Sequence, residues 1–245
     1  MRIAIIADIH GNAVALNAVL DDIARERAER IVCLGDVAAF GPQPGEVVAR
    51  LRDSGCPVVM GDTDATMLVP EAPATNELLR RLQEIEVWGA ARLTATDRAV
   101  IAAFAPTIAL TLGHGVSLLC YHGSPQSFKD RINATTSDEE LARLFAGTSA
   151  QIYVGGHTHI QMVRRYGSAL VLNPGSVGLA YDRVPSPGVV VRNPPWGEYA
   201  ILSIMADSFS FDLRRVPFDV AALKRAAREN GMPHAEWWSA EWDER

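Results

Sequence analysis

The chain has 245 residues, 48% hydrophobic and 21% charged, with a formal net charge of −6. That is enough chain to bury a full core without staples, in a composition typical of soluble globular proteins. The 23 basic residues are scattered, which excludes an extended nucleic-acid surface but not a small anion held through metal. No run approaches the ~18 apolar residues of a membrane helix. The apolar start stops at Asp8, too short for a signal peptide. Cys33, Cys56 and Cys120 form no pairing pattern and read as small buried residues of a reducing cytoplasm. Cys120, two residues before His122, leaves a thiolate metal ligand as the alternative.

In chain order, Ile3 to Ala7 predicts a first strand, and Asn12 caps a helix whose Leu16, Val19, Leu20 and Ile23 share one face. Arg30 to Leu34 predicts a second strand. Pro44 opens a helix closed by Gly55, and Pro57 to Met60 predicts a third strand. This alternation implies parallel pairing with right-handed crossovers. Helices follow over Asn76 to Leu93, with Leu78, Leu82 and Ile85 on one face, and over Thr96 to Phe104. Thr107 to Leu112 and Val116 to Tyr121 form a hairpin around Gly113-His114-Gly115, with His114 an exposed turn residue. Asp138 to Phe145 reads as a helix, and Ile152 to Gly155, Gln161 to Tyr166 and Ala169 to Leu172 as strands. Arg183 to Gly197 reads as an irregular Pro- and Gly-rich loop. Ala200 to Met205 and Ser208 to Val216 form a closing hairpin. From about residue 217 come a helix, Val220 to Asn230, and a tail carrying His234 on its surface and Trp237, Trp238 and Trp242. The tryptophans, set among acidic residues, pack the last helix down or make a homo-oligomer contact; a base platform would carry Arg or Lys nearby. With no linker or repeat, residues 1–245 read as a single domain.

The chemistry lies in short clusters after the strand-like runs: Asp8-Ile9-His10-Gly11-Asn12, Leu34-Gly35-Asp36, Gly61-Asp62-Thr63-Asp64, Tyr121-His122-Gly123 and Gly156-His157-Thr158-His159. Four of the six histidines fall in them. Carboxyl edges of sheets are where open α/β folds put their sites. Asp-x-His and His-x-His each send two ligands to one side, because residues i and i+2 share a face. Asp and His without thiolate suit hard or borderline divalent ions. Two such ions about 3.5–4 Å apart can clamp a phosphoryl group and hold a hydroxide for in-line attack.

This order of motifs resembles the calcineurin-like metallophosphoesterase superfamily. With Asn173-Pro174-Gly175-Ser176-Val177 it resembles the small bacterial and archaeal phosphodiesterase branch, from residue 3 to about Met205. The resemblance implies an α/β fold, a four-layer α/β/β/α sandwich with two mixed β-sheets and outer helices. It puts Asp8, His10, Asp36 and His159 on a first metal and His122, His157 and Asp62 on a second, with Asp36 bridging. Manganese is the first choice of metal, with Fe, Zn or Ni as alternatives.

The chain departs from the family twice. Where the family has Gly-Asn-His-Asp, this sequence has Asp62 for the Asn and Thr63 for the histidine proposed as general acid. Asp62 offers a charged carboxylate in place of a neutral carbonyl. Thr63 cannot protonate a leaving oxygen at neutral pH. Asp64, left without its histidine partner, is expected only to cap the next turn. Asn12 is a helix cap with substrate contact as its second role, and Ser176 belongs to a tight turn with phosphate contact as its second role. The reading is a cytoplasmic metal-dependent phosphodiesterase acting on a small phosphoester. The alternative is a weakly catalytic metal-binding scaffold of the same fold, which Asp62 and Thr63 favour and for which the retromer subunit of this fold is the precedent.

Overall fold

The computed structural model describes residues 1–70, 72–183 and 192–242. Its first sheet is built from β1 (Arg2–Ile6), β2 (Arg30–Cys33), β8 (Trp196–Ile204) and β9 (Phe209–Pro217), in the order β2-β1-β8-β9. The second holds β3 (Ile108–Thr111), β4 (Ser117–Cys120), β5 (Ile152–Val154), β6 (Met162–Tyr166) and β7 (Ala169–Asn173), in the order β3-β4-β5-β7-β6. Both are mixed: β1–β2, β4–β5 and β5–β7 are parallel, the other pairs antiparallel.

Period-two alternation assigns each strand's residues to two cores. Ile3, Ile5, Val32 and Leu202 from the first sheet meet Leu118, Cys120, Ile152, Val154 and Leu172 from the second. The opposite face of the first sheet, with Ala4, Ile6, Tyr199 and Ile201, packs on α1 (Ala13–Arg25), α2 (Pro44–Ser54) and α5 (Ala95–Ala102). The outer face of the second, with Leu119, Tyr153 and Val171, meets Leu141 of α6 (Asp138–Leu144) and Phe145. These layers are the expected α/β/β/α sandwich. Cys120 sits in the inter-sheet core, its thiol pushed up to about 12 by burial. It belongs to neither group of candidate metal ligands among the described residues, which accords with the buried-residue reading.

Several boundaries differ from expectation. Pro57 to Met60 makes one parallel bridge on each side, Val58 to Cys33 and Val59 to Ala105, rather than a full strand. Pro57 has no N–H to give, and the chain turns at once into α3 (Asp62–Leu68), a helix the motif reading did not anticipate. β8 begins at Trp196, inside the stretch read as irregular; residues 184–191 of that stretch lie outside the described residues. In α4 (Glu77–Ala90) Ile85 is fully buried while Leu78 is 54% exposed, so the expected apolar face does not all enter the core. The C-terminal α7 (Val220–Glu229) and α8 (Ala235–Ser239) bury Trp238 and Trp242 against Leu223 and Ile85. His114 is exposed in its turn. His234 is only partly exposed, with Nε2 2.6 Å from Glu84 Oε2 on α4.

Candidate metal centre

The parallel pairs β1–β2 and β4–β5 end at one edge, and the loops after them stay laddered. Asp8 N–H donates to Gly35 O, His10 N–H to Asp36 O, and Gly156 N–H to His122 O. Ser176 Oγ donates to Asp8 O, and Val177 and Gly178 N–H groups donate to Ala7 and Asp8 carbonyls. Asp8, His10, Asp36, His157 and His159 hold φ of 54°, 49°, 54°, 68° and 59°, left-handed values that non-glycine residues rarely adopt. Strain of this kind, overdetermined by surrounding hydrogen bonds, marks functional sites. Gly61 is required by crowding: a Cβ there would lie 2.1 Å from Asp36 Oδ1.

The expected ligands come together in two groups, Asp8, His10 and His159 in one and Asp36, Asp62, His122 and His157 in the other, each with donor atoms within 4.8 Å of one another. His159 Nε2 lies 3.6 Å from Asp8 Oδ1, and Asp62 Oδ1 lies 3.0 Å from His122 Nε2 and 3.1 Å from His157 Nδ1. Asp36 Oδ2 stands between the groups, 3.7 Å from His10 Nε2 and 3.4 Å from His122 Nε2.

Three imidazoles are oriented by backbone carbonyls. Nδ1 of His10, His122 and His159 lies 3.2, 2.8 and 2.7 Å from the carbonyls of Ala39, Leu34 and Leu179. With Nδ1–H donating there, Nε2 is the lone-pair atom. His10 Nε2 and His159 Nε2 then face each other at 3.1 Å, two lone pairs that do not satisfy one another. A cation between the Asp8 and His side chains resolves that conflict. The donor set fits a divalent metal, with N and O atoms only.

Electrostatics agree. Burial holds the His10 imidazole below its ordinary range and His159 well below, which keeps both in the neutral, ligating form. Burial also opposes charge on His122, but the Asp36 and Asp62 carboxylates outweigh it and push that imidazole well up. The Asp36 and Asp62 carboxylates thus favour positive charge in the second group.

Asp64 does more than cap a turn. Its carboxylate accepts from Gly61 N–H at 3.1 Å, which starts α3, and from the Asp36 and Val37 N–H groups at 2.8 Å. It therefore fixes the backbone that aims Asp36. Thr63 lines the cavity beside the candidate ligands, its N–H donating to Asp36 Oδ1 at 3.0 Å and its buried hydroxyl without a partner among the described residues.

Asn12 and Ser176 are found in the cap and turn roles that the sequence reading put first. Asn12 is 1% exposed, its Oδ1 capping α1 at Ala15 and its Nδ2 donating to Gly178 O. Ser176 is 0% exposed, its hydroxyl donating to Asp8 O and accepting from Leu179 N–H. Neither lines the cavity. The motif reading missed Phe40, Arg131, Tyr181 and Asn193, which do. They come from loops with no recurring pattern; the nearest signal is the Gly123 turn, where a Cβ would meet Phe128 O at 2.5 Å and Asp130 O at 2.6 Å.

Comparison with known proteins turns this geometry into a family. Residues 1–193 match the calcineurin-like phosphoesterase superfamily domain. The chain belongs to that superfamily. An uncharacterized protein of Methanocaldococcus jannaschii is 27% identical over 96% of this chain and 94% of its own length. The crystal structure of a metallophosphoesterase from Sphaerobacter thermophilus matches at a TM-score of 0.73 and 25% identity, covering 98% of this chain and 97% of that one. A hypothetical protein of Pyrococcus horikoshii has the same fold, with a TM-score of 0.76 at 17% identity over 95% of this chain and 94% of its own. Metallophosphoesterases use divalent metals, and this member carries a candidate metal site of the matching donor chemistry. No helix among the described residues is long and apolar enough to cross a membrane.

Proposed function

We propose that this metallophosphoesterase is a phosphodiesterase with a dinuclear metal centre, acting on a small phosphoester in the cytoplasm. Asp8, His10 and His159 hold the first ion, and Asp62, His122 and His157 the second. Asp36 bridges them, and manganese is the first candidate. The supporting observation is the position of Asp36 Oδ2, within 4 Å of ring nitrogens of both groups. When bound, a metal pair supplies Lewis acidity and a nucleophile at neutral pH.

The chain's own residues set the rest. The cavity that meets the ligands has a volume of about 520 Å³, room for more than a phosphoryl group. Among the described residues it offers one guanidinium, Arg131, which suits the single charge of a diester better than the double charge of a monoester. Without bound cations Asp36, Asp62 and Glu241 make the cavity negative, so anionic substrate requires metal there. Thr63 supplies no proton to the leaving group. Three free cysteines accord with a reducing compartment.

The test is hydrolysis of bis(4-nitrophenyl) phosphate against 4-nitrophenyl phosphate. The diester is expected to be cleaved faster with added Mn²⁺ and not at all after chelation. Faster monoester cleavage would overturn the diesterase assignment, and metal-independent turnover would overturn the metal one. No turnover of either ester, with ions bound, would favour the scaffold reading.

A further inference from the structure

The cavity beside the ligands has an organic half that phosphate chemistry does not need. One wall is α8, with Trp238 and the half-buried Trp237. Leu78 and Leu82 of α4 form the lip, and Leu78 is 54% exposed, an apolar side chain withheld from the core. Tyr181 lies stacked on His159, ring centroids 4.7 Å apart at 28°, which carries the aromatic surface up to the ligands themselves. The Arg81 guanidinium covers the Trp237 ring at 5.5 Å and does not line the cavity, so the indole is backed from outside it.

Polar groups are few and placed at the edge. Asn193 is 4% exposed and lines the cavity, where a side-chain amide can both donate and accept. The Glu241 carboxyl lines the same cavity. An amide and a carboxyl beside indole and phenol rings match a flat heteroaromatic ring, which needs a stacking surface and donors and acceptors along its edge. Arg131 stands on a loop held by Ser124 Oγ donating to Asp130 Oδ2 at 2.5 Å. It makes no ion pair among the described residues, which leaves its guanidinium free for a phosphate oxygen. The acidic sequence neighbours of the tryptophans argue against a base platform; the folded chain brings Arg81 and Arg131 to them from elsewhere.

We propose that this cavity binds the heteroaromatic base of a nucleotide-class phosphodiester, stacked on the partly exposed rings of Trp237 and Tyr181 and read at its edge by Asn193 and Glu241, while Arg131 positions the phosphoryl group. The proposal rests on the phosphodiesterase reading and adds the substrate class.

The experiment uses diesters that share one leaving group, 4-nitrophenolate, and differ in the other: methyl, phenyl, or a 5′-linked nucleoside. Wild-type kcat/KM should rise in that order, the nucleoside ester at least about 10-fold above the methyl ester, as stacking of one base predicts. In Trp237→Ala the nucleoside-to-methyl ratio should fall to within about 3-fold of unity. That ratio is internal to each protein and does not depend on how much is folded. A wild-type ratio near one, or an unchanged ratio in the variant, would overturn the proposal while leaving the phosphodiesterase reading in place. Turnover of no diester would overturn that reading instead. Tryptophan fluorescence of metal-free wild-type protein, titrated with an uncharged nucleoside and with ribose, decides the pocket separately, because neither probe needs a metal to offset the carboxylates. Saturable quenching by the nucleoside alone supports it; equal responses, or none, overturn it.

Discussion

Asp62 is the residue at which this site differs most from its family's pattern, and its position gives the difference a charge. Its Oδ1 lies within 3.1 Å of ring nitrogens of both His122 and His157. Under the two-ion proposal three carboxylates, Asp8, Asp36 and Asp62, face two divalent ions and leave a net +1, where a neutral amide at 62 would leave +2. Asp62→Asn should therefore weaken the second ion by 10-fold or more and leave the first nearly unchanged, as read by isothermal titration with Mn²⁺. An affinity of the second site unchanged from wild type would remove Asp62 from the ligand set. Thr63 carries a second expectation. General acid help is worth roughly 10²–10⁴-fold, and no proton donor occupies this position. Across a series of aryl and alkyl diesters the rate should fall steeply as leaving-group pKa rises, and a flat series would mean that another group supplies the proton. The candidate ligands were legible because each is a short polar interruption at the end of an apolar run. For Asn12 and Ser176 the sequence put cap and turn first and left substrate contact second, because sequence proximity does not tell a side chain facing a cavity from one tying two loops together.

At the scale of elements, the hairpin of β8 and β9 is pinned to α1 by one buried carboxylate. Asp22 is 7% exposed and accepts from Tyr199 OH and Arg214 Nε, each at 2.8 Å. Burial works to raise its pKa, but the hydrogen bonds from Arg214 and Tyr199 and the Arg214 charge outweigh it, and the net direction is down. A carboxyl depressed in the folded state stabilises the fold above its unfolded pKa and loses that stabilisation as pH falls through the folded value. Asp22→Asn should cost about 1.5–3 kcal/mol at pH 7, the range for a hydrogen bond to a charged group. The difference should shrink as pH falls below the ordinary carboxylate value and through the depressed folded one, and urea melts across an acid pH series check it. An equal deficit across the series would assign the loss to packing. The pattern of elements was readable where periodicity ran long, as in α1 and α4. It failed where tertiary contacts decide: Val58 and Val59 each make a single bridge, and α3 is held by Asp64 rather than by helix propensity.

For the whole molecule, the two sheets bring together residues as far apart in sequence as His10 and His159, whose ring nitrogens meet at 3.1 Å. The layered fold followed from strand and helix alternation together with the motif order. The organic half of the cavity did not, because α8, the Arg131 loop and Tyr181 reach it from separate parts of the chain. The central claim is that Asp36 joins two ion sites. Anomalous scattering at the manganese edge, from crystals grown with Mn²⁺, tests it most directly. Two peaks are predicted about 3.5–4 Å apart, one against Asp8, His10 and His159 and one against Asp62, His122 and His157, with the Asp36 carboxylate between them. A single peak at full manganese occupancy, or two peaks with Asp36 bound to only one, would contradict it.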